Sequence, residues 1–245
     1  VLEIYSPEEG WTHILSIKDN DYPDSRITDF LIRGNEVFIA GGFGLATFDH
    51  AEKVFRETIL RIGSFETNTK VNDMLIINND LWLATNSGIA MISLDAPNFS
   101  PEFWKNYTET GGLKNSNITH VESFNGVVYA ASETEIYRIT PDSAITVLDK
   151  ENTGISAGND RMYISDRYGF GFLDEDYNYI PIDVTHPGLI TGIRALGFSR
   201  GELPAVIYES AGLSLYENDE IEVIRPNSPV SNVFQDISVD ISGNL

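Results

Sequence analysis

"NDLWLATNSGIAMISLD", Asn79 to Asp95, reads as two short strands joined by a tight turn that closes at Gly88. The string recurs. "ITDFLIRGNEVFIAGGFGLATFD" (Ile27 to Asp49) aligns without gaps on "VNDMLIINNDLWLATNSGIAMIS" (Val71 to Ser93), so that Asp29 meets Asp73, Phe38 meets Trp82 and Gly44 meets Gly88. A third copy, "ITHVESFNGVVYAASETEIYRI" (Ile118 to Ile139), puts Tyr129 at the Trp82 place and Glu135 at the glycine. "RMYISDRYGFGFLD" with Tyr163 and Gly169, and "LPAVIYESAGLSLYEND" with Gly212, are weaker fourth and fifth copies. The turn-closing residues 44, 88, 135, 169 and 212 are thus spaced by 44, 47, 34 and 43. A period of about 40–45 residues with several short strands per unit is the signature of a propeller blade.

Each unit fits four strands. In the second copy these are "VNDMLII", "LWLAT", "GIAMISL" and, outermost, "EFWKNYT". They are β-branched and aromatic, near period two, and punctuated by Gly, Asn, Asp and Pro. The expected fold is therefore an all-β propeller of four-stranded blades, one domain spanning residues 1–245. A two-sheet sandwich is the competing all-β reading, and five alignable copies weigh against it. Val1 corresponds to Leu45 and Asn244-Leu245 to Asp80-Leu81. That register predicts five complete blades with partial blades at both ends, in a six- or seven-bladed ring, and reads as a fragment of a longer protein.

Composition narrows the function classes. Of 245 residues, 42% are hydrophobic and 11% aromatic, as in a packed globular chain. The formal net charge of −21 repels phosphate backbones and disfavours nucleic-acid partners. The absence of cysteine excludes disulfides and thiolate metal sites. No apolar run approaches the roughly 18–20 residues of a membrane helix. The strand-like start "VLEIYS" carries no signal-peptide pattern and suggests a mature or trimmed chain.

Most motifs have a structural reading beside the functional one. Recurring turn glycines could admit a ligand to the backbone, but recurrence favours the φ > 0 that a tight hairpin needs. Phe38, Trp82, Tyr129 and Tyr163 are expected to pack between neighbouring blades. "DEDYN" places Asp174, Asp176 and Asn178 at alternate positions, as a calcium loop begins. Tyr179 and Thr185 stand where that loop needs glycine and glutamate, which favours an ordinary turn. "KDNDYPDS" (Lys18 to Ser25) reads as a connector between blades that could also meet a cation or sugar hydroxyls. His13, His50, His120 and His186 show no zinc spacing, and neither a G-x-S-x-G elbow nor a phosphate loop occurs. Paired carboxylates for glycoside hydrolysis could converge in a channel, although sequence alone does not place them. Asp29 and Asp73 follow the start of each innermost strand. They would either ring the channel mouth or satisfy neighbouring backbone amides, the second being favoured for recurring short polar side chains.

"DISVDISGNL" and "DLWLATNSGIAMIS" resemble the repeat of two-component-regulator propellers, whose units run roughly as an Asp-x-x-Gly-Asn-Leu-Trp strand followed by a Gly-Thr/Ala-Thr turn. "ITDFLIRGNEVFIAGGFGLATFD", "VNDMLIINNDLWLATNSGI" and "LDAPNFSPEFWKNYT" resemble more narrowly the propeller of PorZ-type proteins. The non-repeating "APNFSPEFW" is the strongest element of that likeness, which covers about Ile27 to Ile139. The resemblance implies a periplasmic or cell-surface protein of type IX secretion in Bacteroidetes-like bacteria. Such proteins pair two propellers with a C-terminal secretion domain, associate with the outer-membrane sortase machinery, and have been linked to anionic lipopolysaccharide. It carries over no catalytic residue, metal or cofactor, and a charge of −21 works against direct binding of an anionic glycan. In a bacterial protein the N-x-S/T triplets at Asn98, Asn106 and Asn117 carry no glycosylation signal.

Three function classes follow. The first is a non-enzymatic binding and scaffolding propeller of type IX secretion, with protein partners at the outer membrane or a glycan. The second is the periplasmic, oligosaccharide-sensing propeller of a hybrid two-component regulator. The third is a propeller glycosidase or lyase. For the first two, the expected contact surface is the face shared by blade-to-blade connectors and second-to-third-strand turns. That face would carry Asp29, Phe43, Asp73, Asn86, His120, Glu133, Arg167 and Tyr168.

Overall fold

The computed structural model describes residues 2–7, 10–14, 24–158, 161–182, 193–198, 204–208, 212–217 and 220–224. Within them the chain folds as an all-β propeller. Strands β1 (Leu2–Ser6) and β2 (Gly10–Ile14) form a two-stranded sheet, and five four-stranded blades follow. Blade 1 holds β3 (Ile27–Arg33), β4 (Glu36–Gly41), β5 (Gly44–Asp49) and β6 (Val54–Ile59), and blade 2 holds β7 (Val71–Ile77), β8 (Asp80–Thr85), β9 (Gly88–Ser93) and β10 (Lys105–Tyr107). Blade 3 holds β11 (His120–Phe124), β12 (Val127–Ala131), β13 (Glu135–Ile139) and β14 (Ala144–Asp149), and blade 4 holds β15 (Gly154–Ala157), β16 (Met162–Ser165), β17 (Phe170–Leu173) and β18 (Tyr179–Pro181). Blade 5 holds β19 (Ile193–Phe198), β20 (Pro204–Tyr208), β21 (Gly212–Glu217) and β22 (Glu220–Ile224). Every blade is an antiparallel meander, and the first strands β3, β7, β11, β15 and β19 neighbour one another in succession. The two-stranded sheet agrees with a chain that opens at the third strand of a blade. The expected partial blade at the other end lies outside the described residues.

The repeat in sequence is a repeat in hydrogen bonding. Asp29 pairs with Ala40 just after a bulge in blade 1, and Asp73 pairs with Ala84 just after the same bulge in blade 2. Asn78-Asn79 and Asn125-Gly126, all at positive φ, close the first hairpins of blades 2 and 3. Asparagine and glycine tolerate the left-handed region that two-residue hairpin turns require. At the second hairpin, Gly44 and Gly88 lie at φ of 106° and 132°. A side chain at Gly88 would also meet the Tyr107 carbonyl at 2.2 Å. Glu135 replaces this glycine in blade 3 by folding its carboxylate back onto the Ser132 and Thr134 hydroxyls. Gly169 keeps negative φ, and its turn is instead organised by a side chain described below.

The core is a series of seams between blades. Phe38 is buried among side chains of blades 1 and 2, Trp82 among those of blades 2 and 3, Tyr129 between blades 3 and 4, and Tyr163 between blades 4 and 5. A flat blade has two faces to cover, so one large aromatic per seam supplies much of the buried area. The predicted outer strand "EFWKNYT" is shorter than expected. Pro101–Phe103 form a 3-10 turn with Pro101 at its start, and only Lys105–Tyr107 join the sheet.

Candidate functional site

The second-to-third-strand turns and the starts of the first strands lie at one end of the strands, and the residues expected there divide into two sets. Asn86, Glu133, Arg167 and Tyr168 occupy the second-to-third-strand turns and are exposed, Tyr168 at 75%. Asp29, Asp73 and His120 pair with Ala40, Ala84 and Ala131, the same level of three consecutive innermost strands. Phe43 departs from the expectation of an exposed contact residue. It sits in the equivalent turn but is 1% exposed, because its ring turns inward to cover the seam between β1–β2 and blade 1. A phenyl ring with apolar surface within reach is driven there by burial, and it cannot contact a ligand.

The axial residues act as ties between blades. In blade 1 the Thr28 hydroxyl donates to the Val71 carbonyl at 2.6 Å, and the Asp29 carboxylate accepts the Met74 amide at 3.0 Å. In blade 2 the Asn72 amide donates to the Ile118 carbonyl at 2.6 Å, and Asp73 accepts the Val121 amide at 2.8 Å. Asp73 also accepts its own neighbour's amide at Met74, 2.9 Å away. The bulge supplies the offset that turns each polar pair toward the next blade.

Blade 3 breaks the pattern. Thr119 gives both its amide and its hydroxyl to the Ala131 carbonyl of its own blade. His120 aligns with Asp73 in sequence, but its ring accepts or donates only locally to Thr119 and lies against Gly154 of blade 4. The carboxylate that reaches across is Glu122, which accepts the Ser123 amide and that of Ala157 in blade 4. The gap-free alignment missed Glu122 because it stands at the Leu75 place, two residues beyond the position that Asp73 and His120 share. The signal available in sequence was the absence of a Thr/Asn-Asp pair at 119–120.

Burial sets the charge states here. Desolvation, and then the neighbouring charge of Asp29, raises the Asp73 carboxyl well above the usual carboxylate range. Burial raises Glu122 as well. His120 is pushed down to about 4, so its imidazole is neutral near pH 7. The two carboxyl groups accept backbone amides, and His120 bonds the Thr119 hydroxyl.

The exposed turn of blade 4 is built by a residue that sequence reasoning passed over. Asp166 accepts the amides of Tyr168 and Gly169 at 2.7 and 2.9 Å and pairs with Lys150 at 2.5 Å. Lys150 lies 4.5 Å from the Tyr179 ring centroid, so the cation is held from two sides. This clamp presents Arg167 and Tyr168 outward. The D-x-x-G spacing from Asp166 to Gly169 was its legible signal.

At "DEDYN" the Asp174 carboxylate accepts the Asp176 and Asn178 amides, and Asn178 directs its side-chain NH2 at the same carboxylate. That is a self-satisfied turn with Tyr177 at positive φ. Among the described residues, no group of three His, Asp or Glu is arranged to hold a metal. Of the "KDNDYPDS" connector, Asp24 and Ser25 are described. Asp24 is held at about 2 by Arg26, which it grips at 2.7 to 3.1 Å.

Neither a family model nor a curated protein matches the chain. Solved structures do. PorZ, an essential bacterial surface component of the type IX secretion system of Porphyromonas gingivalis, superposes with a TM-score of 0.67 at 18% identity. The match covers 92% of this chain and 30% of PorZ. An extracellular domain assigned to a hybrid two-component system of B. thetaiotaomicron, BT4673, gives 0.72 at 15% identity over 89% of this chain and 30% of that one. Virginiamycin B lyase from Staphylococcus aureus gives 0.65 at 15% identity over 83% and 71%. The propeller fold is therefore shared with a secretion component, a sensor domain and an enzyme. This chain spans about 30% of the length of the first two. No helix among the described residues is long and apolar enough to cross a membrane.

Proposed function

We propose that this chain is a non-enzymatic binding and scaffolding propeller at the periplasm or surface of a bacterium, associated with type IX secretion. The observation that carries this reading is the division of the contact face. Its axial ionisable groups, Asp29, Asp73 and Glu122, are engaged by backbone amides, whereas Asn86, Glu133, Arg167 and Tyr168 are presented outward on turns. Exposed polar and aromatic groups on rigid turns suit recognition, and the hydrogen-bonded strand ends beneath them keep the surface preorganised. Such binding needs neither metal nor cofactor. The likeness to PorZ, a surface component, supports the location and the pathway. Outer-membrane proteins fit as partners, and neutral glycans fit better than anionic ones at a charge of −21.

The test is a crosslinking capture from the envelope of a type IX-competent bacterium, with the folded chain as bait. Replacing Asn86, Glu133, Arg167 and Tyr168 by alanine together should abolish capture of the specific partner while the melting temperature holds. Undiminished capture by that variant removes the reading. A second reading, an oligosaccharide sensor, is favoured by the likeness to the BT4673 extracellular domain. It predicts a saturable thermal shift with an oligosaccharide, which the scaffold reading does not require.

A further inference from the structure

Consecutive seams repeat a cleft at the end of the strands away from the second-to-third-strand turns, and they fill it differently. Between blades 2 and 3 its walls include Ile77, Trp82, Val128 and Ile139. Between blades 3 and 4 the repeat puts Phe124, Tyr129, Met162 and Leu173 in those places, and all four line a cleft again. The earlier seam supplies its own cation. Lys105 of β10 bonds the Pro141 carbonyl, and its ammonium lies 5.2 Å from the centroid of the Tyr107 ring. In the later seam Ile145 stands in the Lys105 place, since it pairs with Arg138 of β13 as Lys105 pairs with Met91 of β9. Glu175 stands where Pro141 stood.

What remains between blades 3 and 4 is a cleft of about 240 Å³. Three aromatic rings line it, those of Phe124, Tyr129 and Tyr177, and its charged lining residues are Asp174 and Glu175. Tyr177 sits at φ of 65°, against the preference of a bulky side chain, and its hydroxyl lies 3.4 Å from that of Tyr129. Among the described residues Glu175 forms no ion pair. Arg138 is near enough to bear on the Tyr129 hydroxyl, but it does not line the cleft and forms no ion pair among the described residues. The volume falls below the roughly 300 Å³ at which sites for drug-sized molecules begin, so the cleft suits a head group.

We propose that this cleft binds a small quaternary ammonium ion. Aromatic rings beside negative charge attract an alkylated cation. The hydrogen-bond acceptors single out the quaternary form. The Asp174 carboxylate is already taken up by the Asp176 and Asn178 amides and the Asn178 side chain, which leaves little for the three donors of a primary ammonium. A quaternary ion has no N–H to satisfy, yet the charges of Asp174 and Glu175 still act on it. The cleft and the turns bearing Asn86, Glu133, Arg167 and Tyr168 lie at opposite ends of the strands, so the two proposals stand or fall separately.

The probe is choline chloride, titrated into the chain at matched ionic strength while the methyl resonances of its three methionines are followed by NMR. The Met162 signal should shift saturably, with those of Met74 and Met91 unmoved. The neutral isostere 3,3-dimethylbutan-1-ol should bind roughly tenfold more weakly, and n-butylammonium more weakly than choline. Tyr177→Asn removes the ring and suits the positive φ, so the protein should stay folded and lose about fivefold in affinity. Choline that competes the chain off phosphatidylcholine vesicles assigns a lipid head group, and choline binding without vesicle binding assigns a free ion; either supports the site. A Met162 signal unmoved up to about 50 mM choline overturns the proposal. So does equal binding of the neutral isostere, or undiminished binding to folded Tyr177→Asn. Binding that appears only in Arg138→Met also overturns it, because the guanidinium would then be the cation this seam already holds.

Discussion

Gly88 and Gly126 look alike in sequence, each closing a hairpin, yet they differ in what surrounds them. At Gly88 a Cβ would lie 2.2 Å from the Tyr107 carbonyl, whereas at Gly126 it would meet open space. Gly88→Ala combines a φ of 132° with a collision against the neighbouring strand. We expect it to cost upwards of about 2 kcal/mol, against roughly 1 for Gly126→Ala, as read from urea midpoints. His120 gives a pH signature. Its folded value of about 4 lies below the ordinary 6.5, so between these values the unfolded chain binds more protons. Stability due to the neutral ring is present above pH 6.5 and lost as pH falls toward 4. Asp73 and Glu122, being raised, act with the opposite sign. The difference between His120→Gln and the parent, measured by urea midpoints across that window, isolates the histidine. It should show the variant losing less stability on acidification.

Between elements, what matters is how one blade holds the next. The Thr28–Asp29 and Asn72–Asp73 ties join first strands that share no ladder of their own, so each tie satisfies backbone groups that a blade by itself leaves unpaired. Asp73→Ala removes the side-chain acceptor of the Val121 amide. A loss of about 1–3 kcal/mol is expected, with Val121 hydrogen exchange accelerating more than that of Ala90 in the middle of blade 2. Equal protection in variant and parent would show that water replaces the carboxylate. Much of this level was legible beforehand. The four-strand units, the aromatic seam residues and the turn asparagines follow from period and residue type. Glu122 was not legible, because it stands two residues beyond the repeating Asp position, and at Asp166 the D-x-x-G turn was legible but its pairing with Lys150 was not.

The whole molecule carries its −21 charge on a surface with few cations to offset it. Pairs such as Arg56–Glu52 and Lys114–Asp149 are about half exposed and contribute little each. Self-repulsion should therefore dominate the salt response. Raising NaCl from about 10 to 300 mM shortens the screening length severalfold and should raise the melting temperature by roughly a few degrees. A fall in melting temperature would mean that attractive pairs outweigh the repulsion.

The sequence by itself determined the all-β class, the blade period, the strand order within a blade and the seam aromatics. Those are properties of periodicity and steric preference, and neighbouring residues carry them. Only the tertiary structure decided that Phe43 faces inward and that Asp29, Asp73 and Glu122 tie adjacent blades together. It also decided that "APNFSPEFW" delivers Phe99 onto Phe38 in the seam between blades 1 and 2. Each of these depends on what a second blade places within a few ångströms, and local sequence holds no record of that distance.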